Sequence, residues 1–409
     1  MEQTNFKVYG YRWIVLLAFM FIAVINQLLW ITFAPITGSA ASHFGVSDLS
    51  IGLLSMSFMI VYIIISIPAS WVIDTYGIRV AVGTGAVLTG IFGMLRGLVA
   101  ADYTLVLIAQ IGIAIGQPFI LNAITKVAAR WFPIQERATA TGLGTLAMYV
   151  GILLGLALTP YLTLRSGIGG MLIIYGFLSV IATLVFLGFA KERPPTPPCS
   201  SDQEERSLVL DGFKQMLSKK DFIFLMFIFF IGLGVFNGVT TWIENIVRPR
   251  GFSITQAGIT GGLMIAGGIV GAVIIPLLSD RYQRRTPFIV LALAGAILGL
   301  VGITYTPSYW LLLVSAFVLG LFLLSAGPIG FQYGAEITHP APEGTSNGLL
   351  ILMGQISGVI FIFAMDSFKS PLTGSMTPAL IVLIGLMVLS LFLSTRLKES
   401  ALMMENRDR

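Results

Sequence analysis

The sequence contains little charge. Lys, Arg, Asp and Glu together make up 11% of its 409 residues, whereas about 25% is usual in soluble domains. Hydrophobic residues make up 56%, which is more apolar side chain than one globular core can bury. A soluble protein with an oversized core would need charged amphipathic faces, and the sequence does not show them. The composition therefore indicates an integral membrane protein.

Cysteine and histidine are also scarce. The single cysteine, Cys199, excludes an internal disulfide and a cysteine-based metal site. The two histidines, His43 and His339, lie near the ends of apolar runs and form no ligand cluster. The sequence contains no recognisable nucleophile–base pair and no phosphate-binding loop. We therefore expect no enzymatic activity, no use of ATP and no cofactor.

Long apolar runs fill most of the chain. Each is roughly 20 residues long, the length that spans a bilayer as an α-helix. None shows the alternating segments of about ten residues that a β-barrel would need. We therefore predict an all-α membrane protein with twelve transmembrane helices. The runs lie near 14–37, 50–73, 80–100, 104–128, 138–162, 169–190, 222–247, 255–278, 287–305, 309–335, 344–367 and 375–396.

A polar stretch divides these runs into two sets of six. Residues 191–207, KERPPTPPCSSDQEERS, contain prolines that prevent a continuous helix, and the stretch resembles a solvated linker. We predict an N-terminal six-helix bundle over 1–190, a cytoplasmic linker over 191–221 and a C-terminal six-helix bundle over 222–409. Basic residues concentrate in alternate loops, which places both termini in the cytoplasm. The net charge of +5 therefore reflects topology and does not indicate nucleic-acid binding.

Two charged stretches occupy equivalent positions in the two sets. WVIDTYGIR (71–79) and LLSDRYQRR (277–285) each follow the second run of their half. The repetition indicates parallel six-span repeats with a substrate site between them, and the first stretch resembles the signature loop of the major facilitator superfamily. In that superfamily the loop holds a cytoplasmic gate, although ordinary positive-inside flanks are an alternative. The candidate gate residues are Asp74, Gly77, Arg79, Asp280, Arg281 and Arg284, with Gln283 standing where glycine is usual.

Polar side chains deep in a span are costly and usually mark function. Asn26 and Trp30 share one face of the first run. Amides occupy the fourth, seventh, tenth and eleventh runs as Gln117, Asn237, Gln332 and Gln355. The charged Arg96, Glu244, Asp366 and Glu336 fall near span ends instead.

An aromatic and amide set without central charge favours a small neutral or cationic solute. A tryptophan face holds a quaternary ammonium by cation–π attraction of about 2 kcal/mol once desolvated. Two alternatives stay open: Trp30 as an interfacial anchor, and the two glutamines Gln117 and Gln355 as interhelical hydrogen-bonding groups.

At these residues the sequence resembles the heme/choline transporter family named after the feline leukaemia virus subgroup C receptor. The likeness runs through both halves and is strongest at EITHPAPEGTSNGLL (336–350). The resemblance implies facilitated passage of choline or ethanolamine, with heme export also ascribed to the family. It also implies a choline site built on residues matched by Trp30, Gln117 and Gln355.

The seventh run departs from the family. It keeps Phe236 but has Asn237 where the family carries tyrosine, so a more polar amine or a neutral solute becomes an alternative substrate. Two peripheral histidines and one linker cysteine offer no axial heme ligand.

The sequence thus predicts a monomeric, alternating-access transporter in the plasma membrane. Its substrate is expected to be a choline- or ethanolamine-like amine or a similar small polar metabolite, moved by facilitated diffusion. An exporter of drugs or metabolites with the same fold, and a non-transporting receptor or sensor, are the alternatives. The expected partners are the lipid bilayer and a small molecule, without nucleic acid.

Overall fold

A computed structural model describes residues 8–196, 216–338 and 343–400, without the side chains of 134, 135 and 343–345. Within these ranges every regular element is helical, which confirms the predicted all-α class. Two 3₁₀ turns, Ala34–Ile36 and Arg248–Arg250, interrupt the α-helices. The α-helices are α1 Arg12–Ile31, α2 Thr37–Phe44, α3 Asp48–Tyr76, α4 Ile78–Leu98, α5 Tyr103–Leu121, α6 Ile124–Trp131, α7 Ile134–Phe189, α8 Lys220–Thr241, α9 Ile243–Val247, α10 Ile254–Tyr282, α11 Thr286–Tyr305, α12 Tyr309–Thr338, α13 Glu343–Ser367 and α14 Thr377–Ser394.

Eleven stretches of the described chain are long and apolar enough to cross a membrane. The longest, Glu136–Phe189, has 54 residues. At a rise of about 1.5 Å per residue it would be roughly 80 Å long if straight, far more than the ~30 Å of a bilayer core. Gly167, with φ 68° and ψ 175°, interrupts its helical backbone. This stretch therefore accounts for the two runs predicted at 138–162 and 169–190, and the eleven stretches correspond to twelve predicted spans.

Internal contacts divide the chain into two compact units. The first contains α1, most of α2 and α3 to α7, and the second contains α8 to α14 together with the short segment Ala34–Gly38. In the second unit the backbone N–H of Gly38 donates to Glu244 Oε2 at 3.1 Å. Most of the predicted linker 191–221 lies outside the described residues, so its bounds stay a prediction.

Glycine permits close helix packing in the second unit. A Cβ atom added at Gly267 would meet the backbone carbonyl of Phe317, and one at Gly271 would meet that of Leu321. On the facing helix, a Cβ at Gly320 would meet the carbonyl of Met264. Helices α10 and α12 therefore pack backbone against backbone, as small residues allow in membrane helices.

Prolines inside helices repeat between the units. Pro68 lies in α3 and Pro276 in α10, 208 positions later (276 − 68). Pro118 lies in α5 and Pro328 in α12, 210 positions later (328 − 118). Proline removes one backbone donor and frees a carbonyl. The two units therefore share the positions at which proline weakens a helix, in addition to the charged loop.

Candidate functional site

Trp30 lies in the last turn of α1 with 6% of its surface exposed. Its Nε1–H donates to the backbone oxygen of Ser55 on α3 at 3.3 Å. Because this bond uses the only donor of the indole, the ring is held in place and offers a ligand its π faces. A π face attracts cations.

Gln117 lies in α5, directly before Pro118, and is 5% exposed. Within the described part of the chain its amide makes no hydrogen bond. Its amide atoms are not among the fully buried atoms that lack a partner, so they keep some accessible surface and can donate to or accept from a polar ligand. Gln117 therefore remains the strongest polar candidate of the first unit.

Asn26 is fully buried in α1. Its Nδ2 donates to Thr89 Oγ1 of α4 at 3.2 Å, and its Oδ1 has no partner among the described residues. The amide nitrogen thus ties α1 to α4. Although it shares a helix face with Trp30, Asn26 is partly committed to packing.

The second unit places Phe236 and Asn237 next to each other on α8, 7% and 8% exposed. Asn237 Nδ2 donates to the carbonyl of Gly354 on α13 at 3.2 Å. The adjacent Gln355 is half-buried, and its amide makes no hydrogen bond in the described ranges. Asn237, which stands where the family carries tyrosine, therefore joins α8 to α13 next to Gln355. Unlike a tyrosine, it supplies no π face.

Gln332 is placed differently from the other candidate amides. It is exposed and lies six positions before the end of α12 at Thr338. No described residue hydrogen-bonds to its side chain.

Arg96 was predicted only to lie near the end of a span. In the structure it is the centre of a buried polar cluster. It is completely buried in α4, and its Nη1 donates to Gln110 Oε1 at 2.7 Å and to the carbonyl of Leu29 at 3.0 Å. Its Nη2 donates to Thr32 Oγ1 at 3.3 Å. In the described structure no carboxylate pairs with Arg96. The sequence feature that could have predicted this cluster is the presence of Arg96 and Gln110 inside apolar runs.

The gate candidates of the first unit lie at the end of α3 and the start of α4. Asp74 Oδ1 accepts from Lys126 Nζ of α6 at 3.0 Å. Gly77 has φ 87° and ψ 178°, a backbone conformation essentially restricted to glycine. The Arg79 side chain is exposed, while its backbone N–H donates to Glu192 Oε2 at 2.8 Å.

In the second unit the ion pairs of the charged loop are made by an arginine outside the predicted gate set. Arg281 and Arg284 are exposed and make no ion pair within the described residues. The buried Arg285 instead pairs with Asp280 and, at 3.0 Å, with Glu336 Oε1. Gln283 adopts the left-handed conformation, with φ 51° and ψ 45°, so the turn forms without glycine.

An acidic residue that follows the last span of each unit caps another helix. Glu192 accepts from the backbone N–H of Arg79 at the start of α4. Glu399 accepts from the backbone N–H of Arg285 at 2.8 Å and of Thr286 at 3.3 Å, at the start of α11. Carboxylates at helix N-termini satisfy free donors and interact favourably with the helix dipole. Neither glutamate was predicted, because both lie in polar segments that resemble ordinary flanks.

The binding candidates of each unit are chemically neutral. Trp30 and Gln117 in the first unit, and Phe236, Asn237 and Gln355 in the second, offer π faces and hydrogen-bonding atoms, and no titratable group. Among the described residues no group of three or more His, Cys, Asp or Glu could hold a metal ion. Within each unit these side chains are suited to reversible contact with a small uncharged or cationic molecule.

Comparison with known sequences identifies the family. The model of the Major Facilitator Superfamily matches residues 19–362. The chain is 31% identical over 392 residues to Solute carrier family 49 member A3 of Xenopus tropicalis, covering 91% of this chain and 81% of that protein. It is 27% identical over 376 residues to Choline/ethanolamine transporter FLVCR2 of Homo sapiens, covering 87% and 71%.

Solved structures show the same fold at low sequence identity. The crystal structure of a D-xylose-proton symporter aligns with a TM-score of 0.76 and 17% identity, covering 95% of this chain and 98% of that one. A bacterial homologue of the human lysosomal transporter Spinster aligns with a TM-score of 0.73 and 17% identity, covering 96% and 98%. The chain is thus a multi-pass secondary transporter that belongs to the Major Facilitator Superfamily and, within it, to the group that includes the FLVCR choline/ethanolamine transporters.

Proposed function

We propose that this transporter carries a small organic amine of the choline/ethanolamine class by facilitated diffusion. The observation that carries the proposal is the state of Trp30. Its ring is buried and its N–H is already bonded to Ser55, so π faces are what it offers. Those faces attract an ammonium group by about 2 kcal/mol once water is excluded.

The charge distribution supports a cation or a neutral molecule over an anion. An anionic substrate would need a buried arginine or lysine with free donors. Arg96 is completely buried in the first unit: its Nη atoms donate to Leu29, Gln110 and Thr32, and its Nε, which has no partner among the described residues, has no accessible surface for an anion. The candidate amides are neutral, and Gln117 accepts or donates according to the ligand.

The relatives support the same substrate class. Proteins named choline/ethanolamine transporters align with most of this chain at 26% to 27% identity. The resemblance to the family implies that Trp30, Gln117 and Gln355 belong to its choline site. Asn237, which stands where the family carries tyrosine, favours the smaller and more polar ethanolamine over choline, since an amide replaces one π face.

Transport by alternating access would use the charged loops as a gate. The ion pairs Asp74–Lys126 and Asp280–Arg285 each lie within one unit, at the end where the charged loops connect the second and third spans. We assign this end to the cytoplasm, with both termini there, and the protein to the plasma membrane as a monomer.

Uptake into liposomes tests the proposal. Purified protein is reconstituted without an ion gradient, and uptake of labelled choline and ethanolamine is measured for wild type and Trp30→Ala. A matched control is Trp310→Ala, because Trp310 is 76% exposed and carries no proposed role. We expect saturable uptake that Trp30→Ala abolishes and Trp310→Ala retains.

Three results would contradict the proposal. One is the absence of saturable uptake of either amine by the wild type. Another is saturable uptake that Trp30→Ala retains as fully as Trp310→Ala does, which would show that the Trp30 ring does not hold the amine. The third is equally strong inhibition of uptake by unrelated lipophilic cations, which would indicate a multidrug exporter instead of a selective carrier.

A further inference from the structure

Helix α3 carries polar residues at every fourth position along its second half. They are Tyr62, Ser66, Ser70 and Asp74. Residues four apart share one face of a helix, so these side chains form a single polar stripe within an otherwise apolar span. Polar groups at membrane depth are costly and usually mark function.

A second polar row faces this stripe. Asn122, at the end of α5, accepts from Tyr62 Oη through its Oδ1 at 2.6 Å. Its Nδ2 donates to Ser66 Oγ and to Ser70 Oγ, both at 3.1 Å. One turn further, Lys126 pairs with Asp74 at 3.0 Å. We call these six residues the polar seam of the first unit.

The helix opposite α3 is weakened beside the seam. Helix α5 ends at Leu121 and α6 begins at Ile124, shortly after the helix-weakening Pro118. The two residues between them, Asn122 and Ala123, keep right-handed helical backbone angles. The chain therefore continues in the same direction, and the Asn122 side chain lies where the regular hydrogen bonding of the helix is interrupted.

The second unit packs the equivalent helix pair without a polar seam. The repeated aspartates and prolines place equivalent positions of the two units 206 (280 − 74) to 208 (276 − 68) residues apart. With any separation in that range, the counterparts of Tyr62, Ser66 and Ser70 are glycine, alanine, proline or aliphatic residues. These counterparts lie within 268–270, 272–274 and 276–278. There α10 meets α12 through Gly267, Gly271 and Gly320. The same helix pair is therefore held by close backbone contact in one unit and by hydroxyl and amide groups in the other.

The seam residues are also partly accessible. Ser66, Ser70 and Asn122 are half-buried, whereas Ile67, between the two serines in sequence, is 75% exposed. An aliphatic side chain with that exposure in a membrane span is suited to lipid. The serine hydroxyls lie on a different face and are suited to water or a polar solute.

We propose that the polar seam is a second binding station for a small hydroxylated amine, on its way between the Trp30 region and the charged end of α3. This inference rests on the proposed function. The hydroxyl of an amino alcohol can replace the bonds that Asn122 makes to Ser66 and Ser70, and the oxygens of Tyr62 and the two serines can surround the ammonium group. The Asp74–Lys126 pair terminates the seam.

Cysteine accessibility tests the station. Cys199 is the single cysteine, so Cys199→Ser provides a cysteine-free background. Ser66→Cys, Ser70→Cys and the control Ile67→Cys are introduced singly and reconstituted in lipid nanodiscs, which expose both membrane faces. The probe is a trimethylammonium methanethiosulfonate, which is membrane-impermeant and carries the headgroup of choline. Labelling rates are measured by mass spectrometry with and without excess choline or ethanolamine. Uptake of the same two amines by the cysteine-free protein is measured separately in liposomes.

We expect Ser66→Cys and Ser70→Cys to react at least tenfold faster than Ile67→Cys, and the amine to slow their labelling severalfold. Labelling of the serine positions no faster than of Ile67→Cys would overturn the station, even if the protein transports choline. So would rapid labelling that a transported amine leaves unchanged. If the seam reacts rapidly but neither amine is taken up or protects it, the amine substrate is wrong and the proposed function fails together with the station's ligand, while the hydrated seam stands.

Discussion

Three arginines close together in the second charged loop have different environments. Arg281 and Arg284 are exposed, whereas only 5% of the Arg285 side chain is exposed. Arg285 bridges Asp280 and Glu336, and just 7% of the Glu336 side chain is exposed. Removing one partner of a buried pair leaves the other charge uncompensated, which typically costs 3–5 kcal/mol. Among these three arginines, Arg285 is therefore the one expected to stabilise the folded loop.

We predict that Arg285→Gln strongly lowers the unfolding midpoint, by an amount equivalent to about 3 kcal/mol. Arg284→Gln is the matched control and is expected to stay within about 0.5 kcal/mol of wild type, as exposed substitutions do. Thermal unfolding in nanodiscs measures both. Similar midpoints for the two variants would show that the Arg285 cluster does not stabilise the second unit.

The residue scale is also where sequence reasoning was least informative. The aspartates of the two loops were found because they repeat, but the choice among Arg281, Arg284 and Arg285 depends on how α10 ends. The left-handed turn at Gln283 directs the following residues, and glutamine gave no signal for such a turn. In the same way, the sequence placed Asn26 on the face of Trp30, yet only the neighbouring Thr89 shows where its amide nitrogen is directed.

At the scale of elements, the end of α1 is held by side chains from other helices. Carbonyls in the last turn of a helix lack intrahelical partners. The carbonyl of Leu29 accepts from Arg96 at 3.0 Å and from Gln110 at 3.4 Å. Gln110 also donates to the carbonyl of Leu54 on α3 at 3.3 Å. Trp30 follows Leu29, and its partner Ser55 follows Leu54, so the cluster fixes both sides of the tryptophan's hydrogen bond.

We predict that Gln110→Leu destabilises the protein by about 2 kcal/mol, since a hydrogen bond to a charged group contributes about 1.5–3 kcal/mol. Because Trp30 is less well fixed, the KM for the transported amine should rise more than the maximal rate falls. Gln110→Glu tests the two kinds of bond separately: it keeps an acceptor for Arg96 but loses the Nε2 donor to the carbonyls of Leu29 and Leu54, so its midpoint should fall less than that of Gln110→Leu. Unfolding midpoints and uptake kinetics are measured for both variants. An unchanged KM in Gln110→Leu would contradict the role of Gln110 in positioning Trp30.

Helices were predicted more successfully than the contacts between them. Apolar runs of bilayer length suffice to find the spans, because every backbone polar group in lipid must be satisfied within a helix. The structure differs from the predicted runs in how they are divided: one long helical element covers two runs around Gly167, whereas the run at 104–128 is divided into α5 and α6. The polar seam was not predicted, since serines and one tyrosine scattered in an apolar run become a pattern only when Asn122 is known to face them.

The whole molecule carries several independent marks of duplication. Aspartates repeat at 74 and 280, prolines at 68 and 276, and capping glutamates at 192 and 399. Each pair is separated by 206 to 208 residues (280 − 74 and 276 − 68, with 399 − 192 giving 207). Both units therefore retain the helix ends and caps of one ancestral plan, while the polar seam belongs to the first unit alone.

This duplication requires an even number of crossings in each half, so α7 must cross the membrane twice. Ser166, exposed beside Gly167, should then lie on the opposite side of the membrane from Cys199. We predict that a membrane-impermeant maleimide labels Ser166→Cys, in the Cys199→Ser background, on intact cells with the protein at their surface. The native Cys199 of wild type should react only after permeabilisation, because the positive-inside rule places the linker in the cytoplasm. Labelling of both cysteines from the same side would contradict two crossings by α7. Reaction of Cys199 on intact cells, with Ser166→Cys protected until permeabilisation, would keep the twelve spans and reverse the orientation.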